Sequence, residues 1–113
     1  MERDLEQNGN LWELFEAITL LEESGETAKF LRDLCTLGEL EALAERWAVV
    51  RMVDRKIPYR KIARETGAST ATVTRIAHWL RHGEGGYRLV LDRVDAHRRA
   101  TGNQVKPART GSE

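Results

Sequence analysis

The densest chemistry in this sequence lies between Pro58 and Arg75, Pro-Tyr-Arg-Lys-Ile-Ala-Arg-Glu-Thr-Gly-Ala-Ser-Thr-Ala-Thr-Val-Thr-Arg. Arg60, Lys61 and Arg64 place three cations on one short segment. Small hydroxyl and methyl side chains follow at Ser69, Thr70, Ala71, Thr72 and Thr74, and a further cation at Arg75. This mixture fits duplex DNA. Ala and Thr methyls suit a thymine methyl, Thr hydroxyls bond bases or phosphates, and Arg pairs with guanine. The earlier cations suit the phosphate backbone.

The spacing gives these residues a frame. Pro58 suits the first position of a short helix to about Thr66. Gly67 is the residue for a turn that needs positive φ, and Ser69 caps a second helix over about Thr70–Arg81. Short helix, glycine turn and capped helix have helix-turn-helix form. At 100° per residue, Val73, Ile76, Ala77 and Leu80 define an inner direction. Ala71, Thr74, Arg75 and His78 point nearly opposite, with Thr70 and Thr72 flanking. In such motifs the N-terminal residues of the second helix read base edges in the major groove. Ser69 and the N–H groups beside it favour a phosphate.

Charge agrees locally rather than globally. Over all 113 residues, 18 basic residues balance 18 acidic ones. Yet Met1–Glu45 holds 12 acidic and 3 basic residues, and the remainder holds 6 acidic and 15 basic. Between Arg46 and Arg81 there are 9 basic and 2 acidic residues. The basic excess therefore coincides with the helix-turn-helix.

Other chemistries find little support. No paired-carboxylate pocket signal, glycine-rich phosphate loop or Cys/His/Asp arrangement is present, so an enzyme is not expected. A single Cys35 rules out an intrachain disulfide, and its apolar neighbours suggest a reduced core thiol. His78 and His82 have metal-chelating i, i+4 spacing, but no third ligand is near in sequence. They are expected to face solvent or phosphate, with no metal and no cofactor. No apolar run reaches the roughly 18–20 residues of a membrane span. The polar, acidic Met1–Asn10 does not read as a signal peptide. A cytoplasmic, non-membrane protein is the expectation.

The elements that must position these residues are helices, about six, in an all-α chain. Asn10 is expected to cap a first helix with its stripe at Leu11, Leu14, Phe15, Ile18 and Leu21. A short helix over about Glu26–Cys35 follows, with Phe30, Leu31 and Leu34 inward. Thr36-Leu-Gly-Glu39 reads as a capping box for a third helix to about Lys56. That helix is apolar at Leu40, Leu43, Ala44, Trp47 and Val50, with Val49, Met52 and Val53 added. Apolar on most sides, it should be buried on most sides, which in so small a chain implies a partner subunit. Trp12 and Trp47 are expected as core or interface anchors. A last helix over about Tyr87–Arg99 has Leu89, Val90, Val94 and Ala96 as its apolar positions. Residues 1–10 read as a flexible N-terminus, 11–100 as one domain, and 101–113 as a disordered tail.

Three stretches resemble the tryptophan repressor superfamily, in particular its YerC/YecD-type branch: Asp33-Leu-Cys-Thr36 continuing Leu-Gly-Glu-Leu-Glu-Ala-Leu-Ala-Glu-Arg46, then Gly67-Ala-Ser-Thr-Ala-Thr-Val-Thr-Arg75, and Tyr87-Arg-Leu-Val-Leu-Asp-Arg93. The resemblance covers about Leu11 to Val94. The resemblance implies an intertwined all-helical homodimer with a helix-turn-helix on each subunit. It also implies a co-repressor pocket from Thr36, Arg46 and Arg75. Ile76 stands where the family pattern has Gly, and Trp79 where it has Ser. Both are expected to fill the indole space, so tryptophan is not the expected ligand. Other readings compete for these residues: Thr36 as a cap, Arg46 paired with Glu41, Glu45 or another acidic residue, and Arg75 against DNA.

The sequence thus predicts a dimeric, sequence-specific double-stranded-DNA-binding regulator, a repressor by resemblance. Its alternative is a helical dimer that mediates protein contacts without specific DNA binding.

Overall fold

The computed structural model describes residues 6–102. Among these, six helices follow one another with no strand: α1 (Gly9–Thr19), α2 (Ser24–Leu34), α3 (Leu37–Asp54), α4 (Tyr59–Thr66), α5 (Thr70–His82) and α6 (Gly86–Thr101). This is the expected all-α class with modest shifts at the ends.

Several boundaries follow from caps. Asn8, rather than Asn10, caps α1, its Oδ1 accepting from Leu11 N–H at 3.1 Å. Gly9 and Asn10 are therefore helical. The capping box at Thr36 is fully formed: Thr36 Oγ1 accepts from Glu39 N–H at 3.0 Å, and Glu39 Oε1 accepts from Thr36 N–H at 2.8 Å. Pro58 lies one position before its expected place, as N-cap of α4 with extended backbone. At the other end Thr101 belongs to α6. The expected tail beyond Gly102, and residues 1–5, lie outside the described residues.

The α3–α4 turn holds a feature that sequence did not reveal. Lys56 has φ 64°. Its N–H donates to Val53 O, and Ile57 N–H donates to Met52 O. These two bonds make a Schellman close, in which the residue just past the C-cap must be left-handed. Glycine usually fills that position; here lysine does.

The core is small and lies in the second half of the chain. Val49, Val50, Val53, Ile62, Ala68, Val73, Ile76, Ala77 and Leu91 form it, with Trp47, Met52, Tyr59, Leu80 and Tyr87 packed against it. It is the junction of α3's C-terminal half with α4, α5 and α6. The packing within one chain divides two of the apolar helices. Within this chain α3 is not buried on most sides. Its apolar residues divide along the helix instead, with Val49, Val50 and Val53 buried and Leu37 and Leu43 about half exposed. On α6 the inward residue is Leu91, while Leu89 and Val90 are exposed. The face meeting the core carries Tyr87 and Leu91, one helical turn apart. Leu89 and Val90 lie off it.

Helices α1 and α2 have no buried residue. Trp12 and Phe15 touch edge to face at 5.2 Å, yet Trp12, Ile18, Leu20 and Leu34 are exposed. Cys35 is half-buried. The Cα radius of gyration is 15.5 Å, against about 13 Å for a compact chain of this size. No helix among the described residues is long and apolar enough to cross a membrane.

Candidate nucleic-acid interface

The helix-turn-helix forms from the sequence signals in order. Gly67 ends α4 at φ 86° and passes its N–H to Ala63 O. Thr66 ties the turn from within: its hydroxyl donates to Ile62 O at 2.8 Å and accepts from Ala68 N–H at 3.2 Å. Ala68 is buried, and Ser69 Oγ accepts from Thr72 N–H at 3.0 Å to start α5. Ile62 and Val73 are fully buried in the wedge, beside Ile76 and the small Ala77. Backbone conformation and packing together fix the angle between α4 and α5.

With that face inward, the opposite one is open. Thr70, Ala71, Thr74, Arg75 and His78 are exposed, and Thr72 is half-buried. The Thr72 hydroxyl is engaged locally, accepting from Ser69 Oγ at 3.0 Å and from Arg75 Nη2 at 3.3 Å. The sequence Ser69–Thr72–Arg75 is thereby a hydrogen-bonded ladder on the first turns of α5, one that holds the Arg75 guanidinium along the helix. His78 lies against Trp79 edge-on, and its ring centroid is 4.8 Å from that of His82. Among the described residues no group of three metal-ligating side chains forms.

Arg60, Lys61 and Arg64 are exposed on α4. Lys61 lies 3.9 Å from Glu65, with both side chains about half exposed; such a pair contributes little and gives way readily. Two further cations join this side, unassigned by sequence reasoning. Arg81 Nη2 donates to Tyr59 Oη at 3.3 Å, linking the end of α5 to the start of α4. Lys56, in its left-handed turn, lines the same open recess of about 780 Å³. Arg81 was legible as part of the basic excess. The direction of Lys56 depends on a backbone conformation that its residue type does not announce. Arg88 also borders the recess but is committed to Asp54 at 2.9 Å and Asp92 at 3.1 Å. The hydrogen bond that Arg88 donates to Asp54 is the main cause that raises its pKa above arginine's ordinary value.

The three residues of the pocket implied by resemblance lie apart in role. Thr36 is engaged as the cap of α3. Arg75 bonds Thr72. Arg46 is exposed and makes no ion pair among the described residues, so the expected pairing with Glu41 or Glu45 is absent. Ile76 belongs to the helix-turn-helix core. Trp79 is 54% exposed and borders an apolar recess with Trp47, Tyr87 and Val90. Gly83 makes room for it: a Cβ there would meet the Trp79 carbonyl oxygen at 2.6 Å.

Comparison with known proteins places this geometry. Residues 9–95 match the profile of the family described as Trp repressor protein. A Bacillus subtilis (strain 168) protein described as uncharacterized protein YerC is 42% identical over 94 residues, which is 83% of this chain and 90% of that one. The crystal structure of a TrpR-like protein from Eubacterium eligens superposes with a TM-score of 0.77 at 35% identity, covering 83% of this chain and 96% of that chain.

Proposed function

The chain belongs to the Trp repressor family, and on that premise we propose that it is a dimeric, sequence-specific double-stranded-DNA-binding transcription regulator that acts as a repressor. The observation that carries this reading is the outer face of α5. Thr70, Ala71, Thr74, Arg75 and His78 are open to solvent directly opposite Val73, Ile76 and Ala77 in the core. Small side chains let α5 lie deep in a major groove, where Thr70, Ala71 and Thr74 meet base edges and Arg75 seeks guanine. Thr72 contributes by positioning Arg75. Ser69 and the start of α5 take a phosphate, and Arg60, Lys61 and Arg64 hold the backbone on either side.

Dimerisation supplies the second half of the reading. The exposed apolar residues of α1, α2 and the start of α3 need a covering surface, and a second copy provides it with two-fold symmetry. The operator is then palindromic, with half-sites about one helical turn apart.

Selection of bound genomic fragments by the purified chain, followed by binding at graded salt, tests this. The expected result is a palindromic site whose affinity falls steeply as salt rises. Arg60→Ala and Arg64→Ala weaken binding to every sequence and flatten that slope. No retardation of any duplex at low salt sinks the proposal. Because Ile76 and Trp79 replace smaller family residues, free tryptophan binds poorly. Calorimetry showing tight binding would overturn that part.

A further inference from the structure

Among the described residues, three arginines form no ion pair where the end of α3 passes the C-terminal end of α6. Arg51 in the last turn of α3 and Arg55 at its C-cap lie four residues apart, and the charges of Arg55 and of Arg98 on α6 both act on Arg51. Arg51 Nε is shielded from solvent yet has no hydrogen-bond partner among the described residues. Burial first, then the two neighbouring cations, lowers the guanidinium's pKa below its ordinary value. A buried donor left unmade is costly, and a charged one more so. Like charges at i, i+4 add to the cost. In a native structure such a group calls for a partner.

The chain carries its complement elsewhere. From Glu6 to Glu26 there are six glutamates and no lysine or arginine. This is also the part of the molecule without a core: α1 has no buried residue, and Trp12, Ile18 and Leu20 are exposed. On α3 the row Leu40, Ala44, Trp47, Arg51 and Arg55 runs along one side at helical spacing. The arginines thus continue the half-exposed apolar surface that the proposed dimer must cover. An arm that is apolar and acidic fits a surface that begins apolar and ends cationic.

We propose that the Arg51, Arg55 and Arg98 cluster receives carboxylates from the acidic N-terminal arm, residues 6–26, of a second copy. The exchange is reciprocal, since a two-fold axis makes each copy both donor and acceptor. The inference rests on the dimer proposed above and adds the pairing that fixes its register. It also gives the opposite charges of the two halves a role, as matched surfaces exchanged between copies.

Sedimentation equilibrium of the full chain at graded salt tests it. The parent dimer should loosen as salt rises. Arg51→Glu with Arg98→Glu should weaken it by roughly tenfold or more. Within one chain Arg51→Glu replaces a repulsive pair with Arg55 by an attractive one, so a weaker dimer reports on the partner and not on a damaged helix. Glu13→Lys with Glu16→Lys, or Glu22→Lys with Glu23→Lys, should weaken the homodimer in turn. Mixing one of these with the Arg51→Glu, Arg98→Glu chain should restore a one-to-one heterodimer. A parent dimer indifferent to salt, with the arginine variant as tight as the parent, overturns this inference and leaves the dimer standing. So does failure of both arm variants to restore pairing. A monomeric parent overturns both proposals. An arginine variant that dimerises normally but loses affinity for every duplex assigns the cluster to DNA phosphate instead, and equally overturns it.

Discussion

Residues 6–46 and residues 47–102 carry similar helical apolar patterns, yet they end in different surroundings. Every buried residue lies at Val49 or beyond. In that second region, α3's end, α4, α5 and α6 cover one another and hold the outer face of α5 open. In the first region the apolar positions of α1, α2 and early α3 are at most partly covered. Leu20 is 78% exposed, Leu37 56% and Leu43 48%. Periodicity records that a face is apolar, but it does not record whose surface covers that face. One region covers its own apolar face; the other leaves much of its apolar face open.

Substitutions can break or sharpen that contrast. The largest effect is expected at the centre of the second region. Ile62→Ala should cost about 2–5 kcal/mol, read as a lower midpoint in urea unfolding. Phe15→Ala should act through association instead, its midpoint recovering as protein concentration rises. Equal, concentration-independent losses in the two variants would erase the distinction.

The next effect separates the inner and outer faces of α5. Arg75→Ala or Thr74→Ala should each cost about 1–3 kcal/mol in specific DNA binding, with unfolding almost unchanged because both side chains are exposed. If both variants bind the operator like the parent, the reading face lies elsewhere. Smaller again is Thr36→Ala, which removes half of a formed capping box where the arm meets α3. A loss of about 1 kcal/mol is expected, measured by chemical denaturation. The smallest is a gain: Lys56→Gly relieves a left-handed lysine and should stabilise by about 0.5–1 kcal/mol. The same change should reduce affinity for all duplexes slightly if Lys56 touches phosphate.

Local signals were the most readable. The box at Thr36 and Glu39, the left-handed Gly67 and the cap at Ser69 each depend on a few neighbouring residues, and each forms as its sequence reads. Errors arose where two residues compete for one role. Asn8 and Asn10 are equally good caps by type, and the helix begins at the earlier one. In α6, Leu89, Val90, Leu91 and Val94 offer more than one stripe, and tertiary packing selects the one that carries Tyr87 and Leu91. For the candidate interface, the outward residues of α5 were legible because Val73, Ile76 and Ala77 mark the inward side unambiguously. The ladder through Thr72 was not, since rotamers decide whether a hydroxyl bonds a neighbour or projects outward.

The amino-acid sequence by itself determined the helices, the turn and the residues of the open face. These follow from capping, glycine conformation and 3.6-residue periodicity, all acting within a few residues along the chain. Only the tertiary structure decided which apolar residues have cover and that Arg51 Nε is shielded with no hydrogen-bond partner among the described residues. Burial is a relation between distant segments, and no local rule contains it. The opposed charges of the two halves are visible in either view. It takes the packed structure to show that Arg51, Arg55 and Arg98 form no ion pair among the described residues of their own chain.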